Sequence, residues 1–149
     1  MILQIPRSIL QSIHDHAERS YPEEGAGILL GVDAGDRRDV RMILPFDNQF
    51  DVGERSRRYL ITPENMLQAE QLAEREDLDV VGVFHSHPDH PPRPSDFDLQ
   101  WALPWYSYLI TSVRGGEAEE TRGWQLEGDR SRMFEQEINL IQADIEGDE

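Results

Sequence analysis

Two histidines separated by one residue, His85 and His87, close a short apolar run, Val80-Val81-Gly82-Val83-Phe84. Bounded by Asp79 and Pro88, that β-branched run reads as a buried strand. Side chains alternate along a strand, so both imidazoles leave one face at its C-terminal end, where together they can hold a metal ion. A Pro-rich loop follows and ends at Ser95. Ser95-x-x-Asp98 reads as a helix start, with a capping hydroxyl and a carboxylate in the first turn. Asp98 is thereby a candidate third ligand, although a plain capping box predicts the same helix start.

The chain contains no cysteine, which removes disulfides and thiolate ligands together. Any zinc must be held by imidazole and carboxylate, the ligand set of catalytic sites that keep one position for water. All 14 basic residues are arginine and the formal charge is −16. That balance argues against a nucleic-acid partner, because phosphate contacts need a basic face. A solvated acidic surface accounts for the charge, and adaptation to high salt is a second reading. With no run of about 18 apolar residues and no signal-peptide layout at Met1–Arg7, the expectation is a soluble cytoplasmic protein with no membrane partner.

At 149 residues the chain is expected to form one domain, with a core over about 1–142 and a frayed acidic tail at 146–149. Ile5, Ile9, Ile13 and Ala17 recur at helical spacing after Pro6, predicting a helix over 6–19. His14 and His16 lie within it, point in nearly opposite directions, and read as surface residues. Residues 23–31 form a strand whose early Gly25 and Gly27 mark close backbone approach, and 40–44 pairs with it in a hairpin. A polar loop spans 45–57, and 58–61 reads as a third strand. Thr62-Pro63-Glu64 starts a helix that runs to about Glu76, burying Met66, Ala69, Leu72 and Ala73. After the histidine strand come a short helix from Ser95 to about Ala102, a strand over 106–113, and a hairpin return over 119–126. Phe134, Ile138, Ile141 and Ile145 predict an amphipathic C-terminal helix that packs on the sheet or on a second copy in a homodimer. The outline is an α/β domain with a mixed central sheet flanked by helices.

His85-Ser86-His87-Pro88, then Ser95-x-x-Asp98, with an upstream glutamate in Pro22-Glu23-Glu24-Gly25-Ala26-Gly27, resembles the JAMM (MPN+) metalloprotease family in its compact prokaryotic form. The order of elements resembles that family over roughly 1–142. His85-x-His87-x-Asp89-His90 also matches the metallo-β-lactamase pattern, but that fold brings in later histidines and none follows His90, which is expected at the rim of the site.

The JAMM resemblance implies a single MPN-like (cytidine-deaminase-like) domain in which His85, His87 and Asp98 bind one catalytic zinc ion. It implies Glu24 as general base and Ser95 as a stabiliser of the tetrahedral intermediate. Choosing Glu24 over Glu23 rests on the family pattern, because adjacent strand residues face opposite sides. The implied activity is hydrolysis of an amide or isopeptide bond at the C-terminal Gly-Gly tail of a small ubiquitin-like or sulfur-carrier protein, with the tail adding as a strand to a sheet edge. The same motif leaves open a peptidase on small amino-acid conjugates, or a non-catalytic scaffold of this fold. One departure from the family is Ala26, where prokaryotic relatives often carry cysteine.

Overall fold

The computed structural model describes residues 1–142. Eight strands form one mixed sheet. In chain order the elements are β1 (Ile2–Pro6), α1 (Arg7–Ser20), β2 (Ala26–Asp33), β3 (Arg37–Phe46), a 3-10 turn (Val52–Glu54), α2 (Pro63–Glu76), β4 (Asp79–Pro88), α3 (Asp96–Trp101), β5 (Ser107–Arg114), β6 (Glu117–Leu126), β7 (Met133–Gln136) and β8 (Ile138–Ile141). The strand order is β7-β6-β5-β4-β2-β3-β1-β8. β4 lies inside the sheet, antiparallel to β2 and parallel to β5.

The helices divide the core in two. α1 buries Ile9, Ile13 and Ala17, and the first two join Leu3, Ile5, Leu29 and Phe84 on one face of the sheet. On the other face, α2 places Ala69 and Ala73 against Ile28, Leu30, Val83 and Tyr108. Thr62 caps α2 through a reciprocal box with Asn65, and Pro63 opens its first turn. The register of β2 on β4 shifts after Leu29, which pairs with Gly82 while Leu30 pairs with Val80. That bulge puts Val81 on the α1 side with Phe84 and leaves Val83 facing α2. His85 therefore shares the α2 face.

Gly27 in β2 and Gly25 just before it are there for clearance. A Cβ on Gly27 would lie 2.4 Å from the Phe84 ring, and one on Gly25 would lie 2.6 Å from Ser20 Oγ.

Several sequence expectations need correction. Pro6, expected as the first helical residue, instead ends the strand Ile2–Pro6, which finds parallel partners in β3 and β8. The expected C-terminal helix is replaced, among the described residues, by β7 and β8. There the partly buried pair Ile138 and Leu140 packs at strand spacing against the α1-side core, and pairing with β1 overrides the helical pattern. Ile145 and the 146–149 tail lie outside the described residues. The helix expected to mediate a homodimer is thus absent among the described residues. Residues 58–61 pair with no strand; Tyr59 and Ile61 pack on the α2-side core instead. His14 and His16 are half-buried rather than surface residues: His14 Nε2 lies 2.9 Å from Thr121 Oγ1, and the His16 ring stands edge-on to Phe84.

Candidate metal centre and active site

β4 delivers His85 and His87 to the α2 face at its C-terminal end, 1% and 5% exposed. The loop after Pro88 returns to Ser95, which caps α3. Ser95 Oγ accepts from the Asp98 amide at 3.1 Å, and the Asp98 carboxylate accepts from the Ser95 amide at 2.9 Å. This box is also what aims Asp98. Its Oδ1 lies 3.2 Å from His85 Nε2 and its Oδ2 lies 3.1 Å from His87 Nε2. The two imidazole nitrogens are 3.3 Å apart.

Three buried donors from two elements thus converge, with ligand atoms within 4.8 Å of one another. Two imidazoles and one carboxylate are a metal's donor set, and three protein ligands leave a position open. The rings are held in two different ways. His87 Nδ1 lies 2.8 Å from the Pro91 carbonyl, a contact that assigns its proton to Nδ1 and frees Nε2 as a ligand. His85 Nδ1 has no partner among the described residues. Its ring is held by Tyr59, stacked on it at 4.4 Å between centroids and 24° between planes.

The register of β2 on β4 decides which glutamate faces the histidines. Ala26 pairs with His85, and the Ser86 amide donates to the Gly25 carbonyl at 3.0 Å. Two residues before Ala26, the same alternation directs Glu24 towards the histidines, whose charges act on it. Glu24 is 4% exposed, and its Oε1 has no hydrogen-bond partner among the described residues. Glu24, His87 and Ser95 line one cavity of about 300 Å³, with His90 at its exposed rim.

Two residues with no role expected from the sequence fix the backbone around this glutamate. Ser86 turns away from the histidine face, and its Oγ accepts from the Gly25 amide at 2.8 Å. Asn48, in the 45–57 loop, donates through Nδ2 to the carbonyls of Glu24 and Arg58, each at 2.9 Å. The Glu24 amide itself donates to the Arg55 carbonyl at 2.6 Å. That loop is therefore pinned to the backbone of Glu24.

Electrostatics separate the two carboxylates. Burial pushes Glu24 up to about 7, against the opposing charges of His85 and His87. Burial also works against ionised Asp98, yet the charges and hydrogen bonds of the two histidines outweigh it and hold its carboxyl far below the usual range. Burial disfavours the His87 cation, and the Asp98 contact outweighs that and raises it. One carboxylate stays ionised beside the imidazoles, and the other titrates near neutrality.

Residues 6–127 match the family model for prokaryotic homologs of the JAB domain. The chain belongs to the Prok-JAB family. Within it, this Prok-JAB chain is similar to a protein of Thermus thermophilus named as a probable TtuB-protein conjugate cleaving protease, 32% identical over 117 residues, covering 76% of this chain and 74% of that one. It is similar as well to a desampylase of Haloferax volcanii, 35% identical over 109 residues, covering 72% and 76%. Among solved structures, a protein of Desulfitobacterium hafniense superposes with a TM-score of 0.85 at 27% identity, covering 97% of this chain and 96% of that one. A JAB1/MPN domain protein of Archaeoglobus fulgidus shares the fold at a TM-score of 0.56 and 19% identity, covering 94% and 97%. The expected MPN-like fold, with its mixed sheet and flanking helices, is the one observed.

Proposed function

We propose that this Prok-JAB domain is a zinc-dependent hydrolase of amide or isopeptide bonds. Its proposed substrates are conjugates at the Gly-Gly tail of a small ubiquitin-like or sulfur-carrier protein. The observation that carries the reading is the buried, unpartnered Glu24 carboxylate in one cavity with His87 and Ser95, beside the converging His85, His87 and Asp98.

His85, His87 and Asp98 would hold the ion. Zinc supplies Lewis acidity there, polarising a carbonyl and acidifying water. Glu24 takes a proton from water as the water oxygen bonds to the carbonyl carbon, and returns it to nitrogen as the C–N bond breaks. A carboxyl that titrates near neutrality suits both halves of that transfer. Ser95 Oγ accepts the Asp98 amide proton and so keeps its own hydrogen free for the carbonyl oxygen. Losing one such donor commonly costs on the order of a hundredfold. Tyr59, Ser86 and Asn48 act as positioning residues for His85 and Glu24.

The substrate class is supported by the Thermus relative, which is named for cleaving protein conjugates. β4 pairs with β5 as far as Pro88, whereas its pairing with β2 ends where Ala26 meets His85. Among the described residues the edge strands of the sheet are β7 and β8, three and four strands away from β4. Exposed Leu60, Trp101 and Leu103 line one cavity and offer the larger apolar contact that a folded carrier needs and a small conjugate does not. No helix among the described residues is long and apolar enough to cross a membrane.

The test is cleavage of a diglycine-tailed carrier joined to a reporter amine, with protein stripped by chelator and then reloaded with zinc. Cleavage by the reloaded protein alone, abolished in Glu24→Gln with zinc still bound, is expected. Stoichiometric zinc without cleavage of the carrier or of a small acylated amino acid would leave only the scaffold reading.

A further inference from the structure

Two cavities flank the site, one reaching it through His87 and the other through Tyr59, which stacks on His85, and their chemistry differs. One, of about 560 Å³, is lined largely by apolar and aromatic groups that include Tyr59, Met66, Val83 and Tyr108, and it opens beside exposed Trp101 and Leu103. The other is the cavity of about 300 Å³ shared by Glu24, His87 and Ser95, and Arg57 and Arg93 complete its wall. In a chain of net charge −16, Glu24 is the one carboxylate among the residues lining that cavity.

The two arginines are not equivalent. Arg57 is already engaged by Glu54, at 3.2 Å through Nε and 3.1 Å through Nη2. The exposed side chain of Arg93 makes no hydrogen bond or ion pair among the described residues. Its backbone is fixed nonetheless. Pro91, Pro92 and Pro94 restrict the chain on both sides of it, the Pro91 carbonyl contacts His87 Nδ1 at 2.8 Å, and the Pro92 carbonyl accepts from Trp124 Nε1 at 3.0 Å. At the edge of a cavity that also holds the general base, the backbone carrying Arg93 has little ordering left to lose on binding, and its guanidinium has no partner to give up.

We propose that the smaller cavity is a carboxylate-binding subsite for the leaving amine, with Arg93 as its specificity-determining residue. This rests on the hydrolase reading above. The apolar cavity and its exposed rim then take the carrier side of the bond, and the amine departs past Arg93. A carboxylate within reach has two sources. In a conjugate whose leaving group is a single α-linked amino acid, the free α-carboxylate is two bonds from the scissile nitrogen. In an isopeptide to lysine the residue's own carboxyl is distant, and only a neighbouring acidic side chain can supply the charge. A guanidinium–carboxylate pair at a partly exposed site is expected to contribute about tenfold in affinity.

The experiment uses the zinc-loaded, inert Glu24→Gln protein, so that intact conjugates are bound and not consumed, with affinity read by calorimetry. In one arm the diglycine-tailed carrier ends in a single added alanine, as free acid or as carboxamide. In the other it is joined to a lysine side chain in a peptide whose next residue is glutamate or glutamine. Tighter binding of the acid by about tenfold in the first arm assigns the α-carboxylate, and the same preference in the second arm assigns a side chain. Either preference must fall towards one when Arg93→Ala is added, and recover in part with Arg93→Lys. Equal affinity for acid and neutral partners in both arms, or a preference that survives Arg93→Ala, overturns the subsite. A clear preference without any turnover by zinc-loaded wild type would instead refute the hydrolase reading and with it the leaving-amine role, while the carboxylate contact at Arg93 stands.

Discussion

Replacing Glu24 by glutamine should stabilise the metal-free protein at alkaline pH, because the carboxylate is buried without a partner. Glu24 is 4% exposed, and its Oε1 has no hydrogen bond among the described residues. Burial raises its carboxyl from 4.5 to about 7. The folded state therefore holds this proton more tightly than the unfolded chain does. Below about pH 4.5 both states are protonated and the group costs nothing. Between about 4.5 and 7 the unfolded chain releases the proton first, so folding weakens as pH rises. Above about 7 the penalty is complete, and at about 1.4 kcal/mol per pH unit it reaches on the order of 3 kcal/mol. Glutamine keeps the shape and carries no charge. Urea unfolding of chelator-treated wild type and Glu24→Gln, followed by tryptophan fluorescence, should give nearly equal stabilities at pH 4.5 and a gap of about 3 kcal/mol in favour of the variant at pH 8. Added zinc should narrow the gap, because a cation beside the carboxylate offsets its desolvation. A gap that is the same at both pH values would refute the assignment of a buried, raised carboxyl. So would a wild type more stable than the variant at pH 8.

Asp98→Ala removes the candidate ligand and half of the α3 capping box together, so zinc retention measured by dialysis should fall at least 100-fold, and unchanged affinity would take Asp98 out of the donor set. Ser86→Ala leaves the Gly25 amide without its buried acceptor; we expect a loss of about 1–3 kcal/mol in urea unfolding and a lower kcat with little change in zinc affinity, and wild-type values for stability and kcat would remove Ser86 as a positioning residue. Gly27→Ala drives a Cβ to 2.4 Å from the Phe84 ring and 2.7 Å from the Leu44 carbonyl. It should cost about 1–3 kcal/mol by urea unfolding, and an unchanged midpoint would show that the β2–β4 contact is looser than described.

The parts of the site that could be read from sequence are those written locally. Alternation along β4 sends His85 and His87 to one face whatever lies around them, and the Ser95–Asp98 box carries its own geometry within four residues. Glu24 against Glu23 was a different matter. That choice depends on how β2 registers on β4, a pairing between residues about sixty apart, and only the family pattern pointed to it beforehand. Tyr59 and Asn48 left no trace in the sequence. The first occurs in a stretch whose β-forming residues suggest a strand, yet it has no strand partner and stacks on His85; the second is one asparagine in a polar loop. The C-terminal helix failed for a related reason. Phe134, Ile138 and Ile141 satisfy a helical spacing, but the edge of β1 offers Leu3 to Pro6 as partners for Ile138 to Ile141, and no local pattern reveals an edge more than 130 residues away.

Anomalous diffraction at the zinc absorption edge, from crystals of the zinc-loaded protein, tests most directly whether these side chains make one metal centre. Expected is a single strong peak in contact with His85 Nε2, His87 Nε2 and the Asp98 carboxylate, with the Glu24 carboxylate facing it and outside bonding distance. A peak elsewhere, or Glu24 bonded to the ion as a fourth protein ligand, would contradict an open site served by a separate base.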